Sequence, residues 1–311
     1  MTDSHRARGS LARYALADFA LFSIYGVLNP YLQILLRNLG YGPAAVGLLT
    51  ALFEIVGIFG PLVLTLRAES PSRGGRPASR KRALVAASLA ILASLPLLSV
   101  HGSPVATAAA LCILAVGAKT VVPIMDTEIV SAVAAGPGRG GYGPIRAMGT
   151  AGFICVALAL QAIPGFDRSP PWVMAACVGA TAIFFLATTF ALPSSDRADA
   201  AAPAARRPPR PFDPVFVLGL AIIGVSRISM APIQSFLSLY ASDELGLDVA
   251  GGLWSISAAA EIPLMLVAAP IVARIGPMTA IAIGSGAMVL RLVAYAAFPS
   301  FGGIAAAQLL H

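Results

Sequence analysis

The chain has 311 residues, of which 58% are hydrophobic and 11% charged, with a formal net charge of +7. Ordinary soluble domains carry about 25% charged residues, so this composition excludes a water-soluble globular protein and points to an all-α polytopic membrane protein. The basic excess does not indicate nucleic acid, because Lys and Arg gather in short stretches between apolar runs.

A membrane-crossing helix takes about 20 predominantly apolar residues. On that template the spans fall near 11–36, 44–66, 83–99, 104–133, 146–164, 172–192, 214–239, 250–272 and 278–298, nine in all. The first run exceeds the roughly 7–15 residues of a signal-peptide core, so it is expected to be retained. A tenth span starts near 303 and reaches His311 before it is half complete. Many of the 30 Gly and 24 Pro residues lie inside the apolar runs, where neighbouring helices re-satisfy the freed backbone groups. Between the sixth and seventh spans comes "PSSDRADAAAPAARRPPRPFDP", too polar and Pro-rich to build a core. The expected organisation is therefore an N-terminal six-helix bundle over 1-192, a cytoplasmic linker over 193-213 and a C-terminal bundle over 214-311 that is incomplete. Two pseudo-repeated six-helix sets, the second unfinished, summarise the architecture.

Basic residues orient the chain, since Lys and Arg favour cytoplasmic span ends. Sixteen of the 21 lie at ends that share a side with the N-terminus, and Arg146 is counted among them. Arg37 and Arg168 lie at the opposite ends, and Lys119, Arg227 and Arg291 fall within spans. The N-terminus is expected in the cytoplasm, and the host membrane is expected to be a bacterial inner membrane.

Eight ionisable side chains sit inside the spans: Asp18, Glu54, Lys119, Asp126, Glu128, Arg227, Glu261 and Arg291. Charges at that depth are costly unless they pair or line a wet cavity, so a lined pathway is expected. Glu261 stands mid-span after three alanines and two residues before Pro263, and is read as the proton-coupling site. Glu54 holds the matching place in the second span and is read as a second titrating site. Asp18 and Tyr25 share one face of the first span, as Lys119 and Asp126 do of the fourth. Arg227 and Gln234 share a face of the seventh, and Arg291 lies in the ninth. These seven are the candidate solute-binding residues, with Tyr25 suited to stacking on a ring. Glu128 is read as interfacial, and Trp254 as interfacial or structural. The two Glu-bearing segments, each preceded by a Pro-containing helix and a polar turn, read as an internal repeat like those of secondary transporters.

Two six-span sets around a basic central loop resemble the major facilitator superfamily. "YGPIRAMGTAGF" (142–153) looks like the glycine-rich entrance to the fifth helix of its phenylpropionate permease and nucleoside–proton symporter branch. "GLWSISAAAEI", "MVLRLVAYAAFPS" and "AAAQLLH" are similar to that branch's eighth, ninth and opening tenth helices. The superfamily's Gly…Asp-Arg-x-Gly-Arg signature is absent from "LRAESPSRGGRPASRKR" (66–82), where only basic character survives. The resemblance implies a secondary active transporter, working as a monomer by alternating access in symport with protons. Aromatic acids, nucleosides and sugars are the small organic solutes it allows. An enzyme is not expected, since no cluster of catalytic or metal-ligating side chains stands out. No cofactor or metal is expected, because Cys112, Cys155 and Cys177 lie within spans and the three histidines form no cluster. The competing reading is a truncated or degenerate transporter that acts as a non-transporting binding or scaffold protein.

Overall fold

The computed structural model describes residues 2–69, 80–135, 141–193 and 214–311. The expected linker, apart from Pro193, lies outside the described residues, as does most of the basic stretch between the second and third spans. Ten α-helices follow in chain order among the described residues: α1 Thr2–Asn38, α2 Pro43–Glu69, α3 Arg80–Leu98, α4 Pro104–Ala135 and α5 Tyr142–Gln161, then α6 Pro171–Ala191, α7 Pro214–Leu239, α8 Ala250–Ile275, α9 Pro277–Ala297 and α10 Phe301–Gln308. Helices are the natural outcome, because in lipid every backbone N–H and C=O must be satisfied within its own segment. Eight of them are long and apolar enough to cross a membrane, and α7 adds a further helix of 26 residues.

Proline interrupts the backbone ladder inside α1, α3, α4, α7 and α8, at Pro30, Pro96, Pro123, Pro232, Pro263 and Pro270. Between α8 and α9 only Gly276 intervenes, at φ 81°, with Pro277 opening the next helix. A left-handed glycine ends one helix, and a proline that needs no N–H partner begins another. A short 3₁₀ turn, Phe166–Arg168, joins α5 to α6, and a π-helical turn, Tyr240–Glu244, ends α7. The fifth helix starts at Tyr142 rather than near 146, which carries Arg146 a full turn into the bundle.

α1 packs against α5 and α6, α3 against α4 and α6, and α2 against α4. α5 also lies along α8, bridging the early and late helices. Small residues allow that approach at both ends of the pair: a Cβ on Gly143 would collide with the Met265 carbonyl, and one on Gly251 with the Ala157 carbonyl. Buried side chains from α1 to α6 form one apolar core, while Phe153 and Ala157 of α5 join α7, α8, α9 and α10 in a second. The outward faces stay apolar; Ile283, Val289, Leu290 and Val293 of α9 are all exposed. That surface suits hydrocarbon.

Candidate functional site: a central cavity lined by ion pairs

A cavity of about 460 Å³ opens between the helices, with walls from six of them and from His311. α1 supplies Phe22, Tyr25, Asn29 and Gln33; α2 supplies Thr50, Phe53 and Glu54; α4 supplies Lys119 and Pro123. From the other side come Arg146, Thr150 and Phe153 of α5, Gln234 of α7, and Trp254, Ser257 and Glu261 of α8. Five aromatic rings thus alternate with polar groups, a lining typical of small-molecule sites.

Two glutamates anchor opposite walls. Lys119 Nζ donates to both carboxylate oxygens of Glu54, at 2.8 and 2.9 Å, and lies 5.0 Å above the Phe53 ring. Glu261 Oε1 pairs with His311 Nε2. His311 Nδ1 in turn faces an Arg291 nitrogen at 2.5 Å, and a guanidinium can only donate. The arginine therefore selects the tautomer whose Nε2–H donates to Glu261. Arg291 is held tightly: it donates to Tyr295 Oη at 2.8 Å, to Ser257 Oγ at 3.4 Å and to Gln308 Oε1. Only 1% of it is exposed, so its charge is desolvated and needs all of these partners. The result is a relay from α9 through His311, just beyond α10, to α8. Each glutamate stands midway along its helix, and each is held by a base two helices further along the chain.

A third cluster joins α1, α4 and α5. Arg146 donates to Asp18 Oδ2 at 3.5 Å, stands 3.9 Å from Asp126 Oδ1, and covers the Phe22 ring at 3.8 Å. Tyr142 Oη donates to Asp126 at 2.9 Å.

The expected site residues thus separate. Glu54, Glu261, Tyr25, Lys119 and Gln234 line the cavity, Tyr25 donating to the Ala118 carbonyl, while the Gln234 carbonyl accepts from Gln33 at 3.2 Å. Arg291 stands directly behind His311. Asp18 is fully buried beneath Arg146, and neither it nor Asp126 lines the cavity. Lys119 and Asp126 address different partners, as their two-turn separation requires. The Arg227 side chain lies outside the described residues.

Three side chains acquire places that sequence reasoning does not give them. Arg146 is not an interfacial cation but an inward-facing one, because α5 begins a turn earlier than its hydropathy suggests. Trp254 is buried in the cavity wall and donates from its indole nitrogen to Ser238 Oγ at 3.1 Å. His311 carries no spacing signal, being far in sequence from His5 and His101. Its one trace in the sequence is the similarity of "AAAQLLH" to a tenth helix. Glu128, expected at the interface, is buried and meets Arg80 at 3.5 Å.

Further polar ties cross the bundle at the end remote from the N-terminus. Arg37 pairs with Asp243 and donates to Ser242 Oγ at 3.0 Å, while Gln161 donates to the Asp248 carbonyl. Arg168 stands between two carboxylates, 3.5 Å from Asp248 and 3.9 Å from Asp167. Burial, then the hydrogen bond and charge of Asp248, push the Asp167 carboxyl above the ordinary carboxylate range, with Arg168 opposing.

Residues 11–311 match the profile of the MFS_1 like family. Among the solved structures that are similar in fold are two of a nucleoside transporter. The crystal structure of an aspartate-to-alanine mutant of the nucleoside transporter NupG superposes with a TM-score of 0.72 at 17% identity, covering 96% of this chain and 78% of that one. The crystal structure of nucleoside transporter NupG itself gives 0.69 at 18% identity, with the same coverage. None of the curated proteins matches the chain.

Proposed function

Because the chain belongs to the MFS_1-like family of major facilitator transporters, and not to the enzymes, we propose that it carries a neutral, ring-bearing polar solute of the nucleoside or sugar class in symport with protons. Transport proceeds by alternating access across a bacterial inner membrane, in a monomer whose N-terminus and linker face the cytoplasm. One observation carries this reading: Glu54, Lys119, Arg146 and Glu261, acids and bases drawn from four helices, line one cavity.

The lining favours a neutral solute over an aromatic acid. The two cations in the described wall, Lys119 and Arg146, already hold carboxylates. An incoming acid would have to displace one of them. Hydroxyls and ring nitrogens find better partners in Asn29, Gln33 and Thr50, whose Oγ1 has no hydrogen-bond partner among the described residues. Phe22, Tyr25, Phe53, Phe153 and Trp254 supply faces for a ring. A nucleoside also agrees with the substrate named for the two similar structures.

Coupling is assigned to Glu261, with Arg291 and His311 as its positioning partners. A proton arriving from the cavity converts the Glu261 carboxylate to a neutral acid and loosens its hold on His311, so α8 and α10 are freed to move relative to each other. Glu54 answers to Lys119 in the same manner on the opposite wall.

The test is uptake of radiolabelled uridine, a galactoside and phenylpropionate into proteoliposomes, with and without an inward proton gradient. Uridine or galactoside should accumulate only with the gradient, and Glu261→Gln should lose that dependence. Uptake of phenylpropionate alone would overturn the substrate reading; gradient-driven uptake by Glu261→Gln would overturn the coupling assignment.

A further inference from the structure

Asp18 is a charge to which the cavity gives no role. It is fully buried in α1, away from the cavity wall, and gripped from one side only. Its Oδ2 accepts from Arg146 at 3.5 Å, the weak end of the hydrogen-bond range. Its Oδ1 has no partner among the described residues. Space for the carboxyl exists only because residue 149 is glycine, where a Cβ would collide with Oδ2 and with the Phe22 ring.

The groups that face Asp18 can be named element by element. α5 presents Arg146 and Tyr142, and α4 presents Asp126, which Arg146 and Tyr142 also contact. α6 packs against α1 with Cys177 as its one titratable side chain. Among the described residues, no ion pair or side-chain hydrogen bond joins Asp18 to α2, α7 or α8. One guanidinium therefore serves two carboxylates, leaving the trio one negative charge in excess. An interior site of this kind penalises the bare carboxylate oxygen, and a single added proton makes the trio neutral.

We infer that Asp18 is a proton carrier additional to Glu261 and Glu54, which binds and releases a proton as Arg146 turns between Asp18 and Asp126. Arg146 is placed for this because its other side lines the cavity. In the loading step Arg146 swings off Asp18 toward Asp126, and a hydronium ion admitted from the cavity through the space it vacates gives its proton to an Asp18 oxygen, leaving water and a neutral carboxyl with Arg146 bonded to Asp126 alone. Loss of the proton to water restores the ion pair. No other bond changes. The role in coupling rests on the transport reading above, whereas the proton binding itself does not.

The experiment is an infrared pH titration of the protein in liposomes, read at the carbonyl band of protonated carboxyl groups, with carboxyl-labelled aspartate to separate Asp from Glu. Wild-type protein should show a label-sensitive band at acid pH that fades as the pH rises. Asp18→Asn should show a weaker band, the remainder coming from Asp167 and the other aspartates; Glu261→Gln should match wild type, and in Asp126→Asn, where Arg146 is left to Asp18 alone, the band should fade at lower pH. Arg146→Gln, which removes the competing cation, should hold the band to more alkaline pH, and this variant decides the matter should Asp18→Asn fail to fold. A spectrum in which Asp18→Asn equals wild type, or a band that Arg146→Gln leaves in place, would overturn the inference and make Asp18 a fixed ion-pair partner. Uridine uptake by the same liposomes reports separately on transport, so the failure of one reading is told from the failure of the other.

Discussion

Replacing Lys119 with Met removes the cation that both oxygens of Glu54 accept from, at 2.8 and 2.9 Å. At an effective dielectric of about 20, opposite unit charges roughly 3 Å apart attract by about 5 kcal/mol. Water in the cavity screens part of that, since 28% of the lysine side chain and 47% of the glutamate side chain are exposed. The pair belongs between a surface bridge, worth at most about 1 kcal/mol, and a buried one, whose rupture costs about 3–5 kcal/mol. We take about 2 kcal/mol, which for a chain of this size lowers the midpoint of thermal unfolding by roughly 5 °C. The loss should come from the stranded carboxylate rather than from the missing lysine, so Glu54→Gln added to Lys119→Met should restore most of it. The assay is a double-mutant cycle by circular dichroism in detergent, with Glu54→Gln as the second single variant. If the two single effects simply add in the double variant, within about 0.5 kcal/mol, the pair is not energetically coupled and the reasoning fails.

Three other outcomes are expected. Gly149→Ala should destabilise the protein by about 1–3 kcal/mol in the same assay, because its Cβ collides with the Asp18 carboxyl and the Phe22 ring in a packed interior. Arg291→Lys keeps the charge but cannot reach Tyr295, Ser257, Gln308 and His311 together; gradient-driven uptake should fall by about tenfold or more, a loss of at least about 1.4 kcal/mol. At the remote end, the raised Asp167 carboxyl means that the folded state binds a proton the unfolded chain releases. Its contribution is complete in acid and lost as the pH climbs from the ordinary aspartate value of about 3.9 through the raised one. Unfolding temperature should therefore fall with rising pH across that window in wild type and less steeply in Asp248→Asn, and identical slopes would refute the pairing.

Sequence alone determined the solvent and the class of fold. Apolar runs of about 20 residues admit one backbone solution in lipid, the helix, because unpaired N–H and C=O groups cannot be left there. The same constraint marked every intramembrane charge as exceptional, and in this way Glu54, Lys119, Glu261 and Arg291 could be read without coordinates. Pairing could not be read. Glu54 and Lys119 are 65 residues apart in the chain, and Asp18 and Arg146 are 128 apart; periodicity orders residues along one helix and carries no information on which helix stands opposite. Only the packing of α5 against α1 turned Arg146 from a counted cytoplasmic charge into a partner of two acids, and hid Asp18 from the cavity. His311 shows the limit most plainly: alone in sequence it is an isolated imidazole, and it acquires meaning because α8 and α9 bring Glu261 and Arg291 to its two nitrogens.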